Sequence, residues 1–225
     1  SPGAPVIATV AGDYIINASE QSAAIGGTAE ANATVTLTVG GNPRVLAANG
    51  SGNWTYTLQA ADIVAMGQGA ETLSATARDA AGNVSTAGTR AISVDTQAPA
   101  APGLTLATDS GISTIDGITN AGAVTIIGLE AAASWQYSLD NGNNFLAGTG
   151  AGFVLPAGTY VAGAVQVQQT DAAGNPGATG SNAMAITVDT TLPTATAAIT
   201  GAEDNVTPTT GNVATGGTSN DNTLG

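Results

Sequence analysis

The sequence predicts an all-β protein made of tandem antiparallel β-sandwiches, and three observations carry that prediction. Thr and Val stand in short alternating runs broken by Gly, Asn and Pro, the pattern of short strands joined by tight turns. Aromatic residues make up 4% and charged residues 8% of the chain, which fits neither a helical bundle rich in Glu, Lys and Leu nor a charged disordered segment. The third observation is internal repetition across 225 residues, a length too great for one sandwich of about 100 residues.

The repeated motifs keep their order along the chain. Asp79-Ala80-Ala81-Gly82-Asn83 recurs unchanged as Asp171-Ala172-Ala173-Gly174-Asn175. Ile92-Ser93-Val94-Asp95-Thr96, followed by Pro99, recurs as Ile186-Thr187-Val188-Asp189-Thr190, followed by Pro193. Upstream, Asn53-Trp54-Thr55-Tyr56-Thr57-Leu58 is echoed by Ser134-Trp135-Gln136-Tyr137-Ser138-Leu139, and Gly27-Thr28-Ala29-Glu30-Ala31 by Gly128-Leu129-Glu130-Ala131. These echoes divide the chain into a first sandwich over 1–97, a second over 98–192 and the beginning of a third over 193–225.

In the first repeat, Ala61–Met66 followed by Gly67 reads as one or two helical turns with a glycine stop. In the second, the expected strands are Val124–Leu129, Trp135–Leu139, Phe153–Leu155, Tyr160–Gln169 and Ala183–Val188, separated by Asn-Gly, Pro-Ala-Gly and Ala-Gly-Asn turns. Asn141-Gly142 suits a hairpin turn because both residues tolerate positive φ. Trp135 and Tyr137 alternate with polar neighbours and are expected to face one core. Tyr160, after Pro156-Ala157-Gly158, sits where sandwich domains often place a corner tyrosine. Thr196–Thr200 reads as the first strand of the third repeat.

Missing residue types exclude most chemistry. Without Cys there is no disulfide, thiolate nucleophile or Cys-based metal site. Without His the commonest general base and transition-metal ligand are absent. The cations are Arg44, Arg78 and Arg90, so there is no lysine for a Schiff base or a P-loop. A net charge of −13 repels phosphate backbones and anionic membrane surfaces, so neither nucleic acid nor a membrane is an expected partner. No apolar run approaches the roughly 18 residues of a spanning helix. Gly148-Thr149-Gly150-Ala151-Gly152 lies between strands and reads as a turn, not a phosphate loop. A pair of carboxylates could serve glycoside hydrolysis, but both Trp residues belong to expected cores, which leaves no aromatic platform for a sugar. The sequence reads as non-enzymatic.

The early Gly-x-Ala-Glu-Ala, the central Asn-Trp-x-Tyr-x-Leu, the late Asp-Ala-Ala-Gly-Asn and the junction Val-Asp-Thr-x-x-Pro together resemble the bacterial Ig-like repeats of giant adhesins exported by type I secretion. The second repeat departs in its early element, where Leu129 replaces the small residue before Glu130. The resemblance implies tandem Ig-like sandwiches outside the cell, stiffened by Ca²⁺. It also implies neighbouring Ig-like repeats as partners and a role in carrying an adhesive region for adhesion or biofilm formation.

The carboxylates give a separate argument for Ca²⁺. In an Ig-like topology the turn holding Asp171 and Asn175 should approach Glu130 and the linker at Asp95. No Lys or Arg follows Arg90 to neutralise these acids. Crowded carboxylates repel, and a hard cation with oxygen ligands relieves that repulsion. A matching set in the first repeat is Glu30 with Asp79. At the far end of the second, Asp109 and Asp116 could join Asp140 and Asp189, and the equivalent loop of the first repeat offers Asp13, Asn17 and Glu20. The alternative is that these side chains only cap turns. The expected function is a calcium-stiffened extracellular spacer. Its rivals are a glycan- or protein-binding module, an accessory domain of a secreted depolymerase, and a matrix fibre that assembles through an open strand edge.

Overall fold

The computed structural model describes residues 1–195 and the backbone of Gly201–Asp204 and Gly211–Ala214. It divides into a unit Ser1–Asp189 and a unit Thr190–Gly225. The larger unit holds two hydrophobic cores, one built from residues between Ile7 and Val94 and the other from residues between Val124 and Val188.

Around the first core the chain forms β1 (Val6–Ile7), β2 (Ile15–Ile16), β3 (Ala24–Thr28), β4 (Thr34–Val39), β5 (Asn42–Ala47), β6 (Asn53–Thr57), α1 (Ala60–Met66), β7 (Gly69–Arg78) and β8 (Gly88–Val94). One sheet has the order β1-β3-β6 and the facing sheet β2-β8-β7-β4-β5. Strict alternation explains β4: Val35, Leu37 and Val39 are fully buried while the intervening threonines face outward or half-outward. Each such side chain contributes about 1.5–3 kcal/mol by leaving water. Helix α1 ends at Gly67 with φ 70°, and the Gly67 N–H donates to Ile63 O at 3.0 Å, as the glycine stop requires.

The second sandwich contains β9 (Gly103–Leu106), β10 (Ile118–Thr119), β11 (Ala123–Ile127), β12 (Ser134–Ser138), β13 (Leu146–Ala147), β14 (Gly152–Val154), β15 (Gly158–Tyr160), β16 (Gln166–Thr170), β17 (Gly180–Ser181) and β18 (Ile186–Val188). Their sheet orders are β14-β11-β9, β13-β12-β16-β17 and β10-β18-β15. Trp135 and Tyr137 do share the core side, where Tyr137 stacks on Phe153 with ring centroids 4.1 Å apart. The Tyr160 hydroxyl donates to Pro156 O at 3.0 Å and makes the expected corner. Asn141 and Gly142 both have positive φ, 61° and 82°, although the loop between β12 and β13 is longer than a two-residue hairpin.

Two expectations need correction. Tyr160–Gln169 is not one strand. Gly163 adopts φ 82° and the Ala164 N–H turns back to Val161 O at 3.1 Å, so β15 joins β18 and β16 joins β12. The Trp echo is also not a structural correspondence. Val35 pairs with Ala77 across β4 and β7, and Trp135 pairs with Gln169 across β12 and β16. The turns before these strands match as well, with Ala33 N to Glu30 O at 3.1 Å and Ala133 N to Glu130 O at 3.3 Å. Trp135 therefore stands where the first sandwich has Val35, whereas Trp54 lies on β6 of the opposite sheet, paired with β3. A Trp-x-Tyr run satisfies any half-buried strand, because its period of two matches either sheet.

In the smaller unit, β19 (Gly201–Asp204) and β20 (Gly211–Ala214) pair antiparallel. The strand expected at Thr196–Thr200 lies outside the described residues.

Candidate functional site

The sequence motifs converge at the joint between the two sandwiches. Strands β2 and β8 run parallel, so both leave the first sandwich at one end, with the Asp95 N–H donating to Ile16 O at 3.0 Å. The turn Asp171–Asn175, between β16 and β17, meets that end. Asn175 is 1% exposed and makes three kinds of contact at once. Its Oδ1 accepts the Ala18 N–H at 2.7 Å, and its Nδ2 donates to Asp95 O at 2.9 Å and to Asp171 Oδ2 at 2.8 Å. Rotating the amide would set oxygen against two acceptors and nitrogen against a donor, so only one orientation satisfies the site. Asn17 adds a further bond, Nδ2 to Ala173 O at 3.1 Å, while its Oδ1 is fixed by the Ser19 N–H at 2.9 Å.

Asp171 holds the turn itself. Its Oδ1 accepts the N–H groups of Ala173 at 2.9 Å and Asn175 at 2.8 Å. Burial pushes this carboxyl up, but the bonds from the Asn175 side chain and the turn N–H groups outweigh burial and hold it below the ordinary carboxylate range. Behind the turn, Gln169 is fully buried. Its Nε2 donates to Ala100 O at 2.8 Å and Gly128 O at 3.0 Å, and its Oε1 accepts the Glu130 N–H at 2.9 Å. One amide thus ties the linker to the loop between β11 and β12.

These residues do not fit a calcium shell as they stand. Calcium takes six to eight oxygens at about 2.3–2.6 Å. Among the described residues no three carboxylates gather to hold a metal. The Asn175 amide hydrogens instead occupy Asp95 O and Asp171 Oδ2, two acceptors a cation between them would need. Glu130 is exposed, and Asp95 Oδ1 accepts the Gln97 N–H at 3.2 Å.

Several of the other acids seal turns. Asp79 accepts both the N–H and the Nδ2 of Asn83 at 2.8 Å, and Asn83 is exposed with no bond across a joint among those described, unlike its counterpart Asn175. Glu30 is exposed at the turn to Ala33. Asp109 accepts the Gly117 N–H and Asp116 the Ile118 N–H, each at 3.0 Å. Asp189 donates its N–H to Thr119 O at 2.9 Å, and Asp13 accepts the Ile15 N–H at 2.9 Å. Glu20 accepts the Asn17 N–H at 3.2 Å. Asp140 is pushed down to about 2 by the Asn144 side chain, Ser138 and the Asn144 N–H.

Sequence reasoning missed two polar centres. Gln169 was legible, because it follows Val165 and Val167 on the inward register of its strand, where a polar residue needs buried partners. The second centre is Asp62, fully buried in α1 and held by Arg44, by the Tyr56 hydroxyl and by the Gln59 N–H at 2.9 Å. Burial pushes the Asp62 carboxyl up, and the bonds from Tyr56, Gln59 and Arg44 together hold it below its ordinary range.

A family model for a bacterial Ig-like domain matches residues 8–96. No curated protein matches the chain. Among solved structures, a 1.5-MDa bacterial ice-binding adhesin studied for host cell surface retention is similar at 19% identity and TM-score 0.51, covering 91% of this chain and 66% of that one. A Ca²⁺-stabilized adhesin that helps an Antarctic bacterium reach out and bind ice is similar at 22% identity and TM-score 0.47, covering 84% of this chain and 49% of that one. A bacterial immunoglobulin-like domain from the M. primoryensis ice-binding adhesin is similar at 29% identity and TM-score 0.32, covering 41% of this chain and 97% of that one. The chain thus spans about half of one of the larger adhesin structures and about two thirds of the other. Residues 8–96, which span most of the first sandwich, are thus similar to a bacterial Ig-like domain.

Proposed function

We propose that the chain is an extracellular spacer segment of a bacterial surface adhesin, in which repeats 1–97 and 98–192 stand in series and 193–225 opens a further repeat. The observation that carries this reading is the joint itself: the exit of one sandwich is bonded to a turn of the next through a buried amide, so position is passed from repeat to repeat. The family match over the first sandwich and the fold likeness to a large bacterial adhesin support it. The work is mechanical, carrying an adhesive region away from the cell.

The sequence favours calcium as the stiffener at Asp95, Glu130 and Asp171. The bonding at the joint favours the Asn175 amide in that place, and the reading gives calcium no step. A glycan-binding role draws no support from the tryptophans, since Trp54 and Trp135 are 4% and 8% exposed in the two cores.

The spacer reading is tested by displaying the 225-residue chain on a bacterial surface, between an anchor and a binding head of known ligand. Capture of immobilised ligand under flow should rise above that of cells carrying the head on a short flexible linker. Binding of headless cells to glycans or host surfaces would overturn it in favour of a binding module.

A further inference from the structure

We infer that Asn175 is the residue that fixes the two sandwiches relative to one another, and that this joint is set by hydrogen bonds without a metal ion. The inference deepens the spacer reading and rests on it for its biological meaning alone; a chain with a loose joint could still be a spacer.

The end of the first sandwich presents one backbone donor, Ala18 N–H, and one backbone acceptor, Asp95 O. A primary amide carries an acceptor and a donor on one planar group, so a single Asn reads both. Its remaining hydrogen is taken by Asp171 Oδ2 in its own turn, which fixes the amide before it meets its partner. At 1% exposure this amide is shielded from water, and a buried polar group left without partners is costly, so the joint opens only by giving up the two bonds from Asn175 that cross it.

The rest of the molecule supplies controls. Asn83 occupies the same place in the same turn of the first sandwich and makes the same two bonds to its aspartate, yet it is exposed. The motif alone therefore accounts for the turn, and the cross-joint contacts are what distinguish Asn175. The free donor is also specific to the first sandwich. In the second, Thr119 stands where the first has Ile16, and its hydroxyl accepts the Ala121 N–H at 3.0 Å, so the equivalent donor is already used. The two ends are therefore not interchangeable.

The test is ¹⁵N relaxation on the full 225-residue chain in chelator, reading the rotational correlation time of each sandwich. In the wild type the two values should agree, as for one body. In Asn175→Ala they should separate and both should fall, while Asn83→Ala leaves them equal. Ala18→Pro removes the donor from the opposite side, leaves the second sandwich untouched and should reproduce the separation even if Asn175→Ala disturbs its own turn. Independent tumbling of the wild type in chelator would overturn the inference, as would unchanged tumbling in both Asn175→Ala and Ala18→Pro.

Discussion

Arg44 reaches from β5 to the fully buried Asp62 of α1, with its Nε at 3.0 Å and its Nη2 closer still to the same carboxylate oxygen. The pair pins the helix to the sheet it crosses, and Tyr56 completes the network through its hydroxyl. Removing the carboxylate takes away the acceptor shared by the Arg44 guanidinium, the Tyr56 hydroxyl and the Gln59 N–H. Asp62→Ala should destabilise the first sandwich by about 1–3 kcal/mol, the cost of leaving buried polar groups without partners. Denaturant unfolding followed by Trp54 fluorescence reads this. Loss of less than a few tenths would show that water enters to replace the carboxylate.

Acid should destabilise the chain with a defined sign. Asp62, Asp79, Asp140 and Asp171 are all held below the ordinary carboxylate range when folded. Groups with depressed folded values contribute stability that is present above the unfolded value of about 3.9 and lost as pH falls through the folded one. For Asp140 that window runs down to about 2. Thermal midpoints should therefore fall below about pH 4, and Asp140→Asn should remove part of that fall. An identical acid profile in the variant would assign the loss elsewhere.

The two tryptophans separate a hydrogen-bond effect from a volume effect. Both are buried, but Trp135 Nε1 donates to Gly150 O at 3.0 Å whereas Trp54 Nε1 is buried without a partner. Trp135→Phe should cost about 1 kcal/mol more than Trp54→Phe, the net value of one such bond. Equal losses in matched denaturant melts would contradict this.

Much of the fold could be read directly from local chemistry. The Gly67 stop, the positive φ of Asn141-Gly142 and the Tyr160 corner each depend on residues close in sequence. The Asp-Ala-Ala-Gly-Asn turns were legible for the same reason, and their topology places the second of them at the linker. What could not be read was which strand of which sheet each apolar run occupies. Trp54 and Trp135 obey one alternation on opposite sheets, and only register distinguishes them. The joint was located by its acids, but the sequence shows Asp95 and Asp171 only as charges and does not show that the Asn175 amide bonds the Asp95 carbonyl and the Asp171 carboxylate together. Arg44 and Asp62 were missed because their pairing joins two elements whose contact no motif announces.

The close approach of the incoming segment to each sandwich depends on two glycines. A Cβ at Gly88 would fall 1.8 Å from Pro5 O, and one at Gly180 would fall 1.8 Å from Pro102 O. Gly180→Ala should cost about 1–3 kcal/mol or more through forced backbone shifts. Gly3→Ala, where nothing lies within 4 Å, should be nearly silent. A silent Gly180→Ala in the same melt would show that the incoming strand is not seated against β17.

The most direct measurement of the central claim is small-angle scattering of the 225-residue chain, first in chelator and then in millimolar calcium. A joint set by the Asn175 amide gives superimposable profiles and an unchanged maximum dimension in the two conditions. A chain that extends or straightens only when calcium is added would contradict it and restore the carboxylates as ligands.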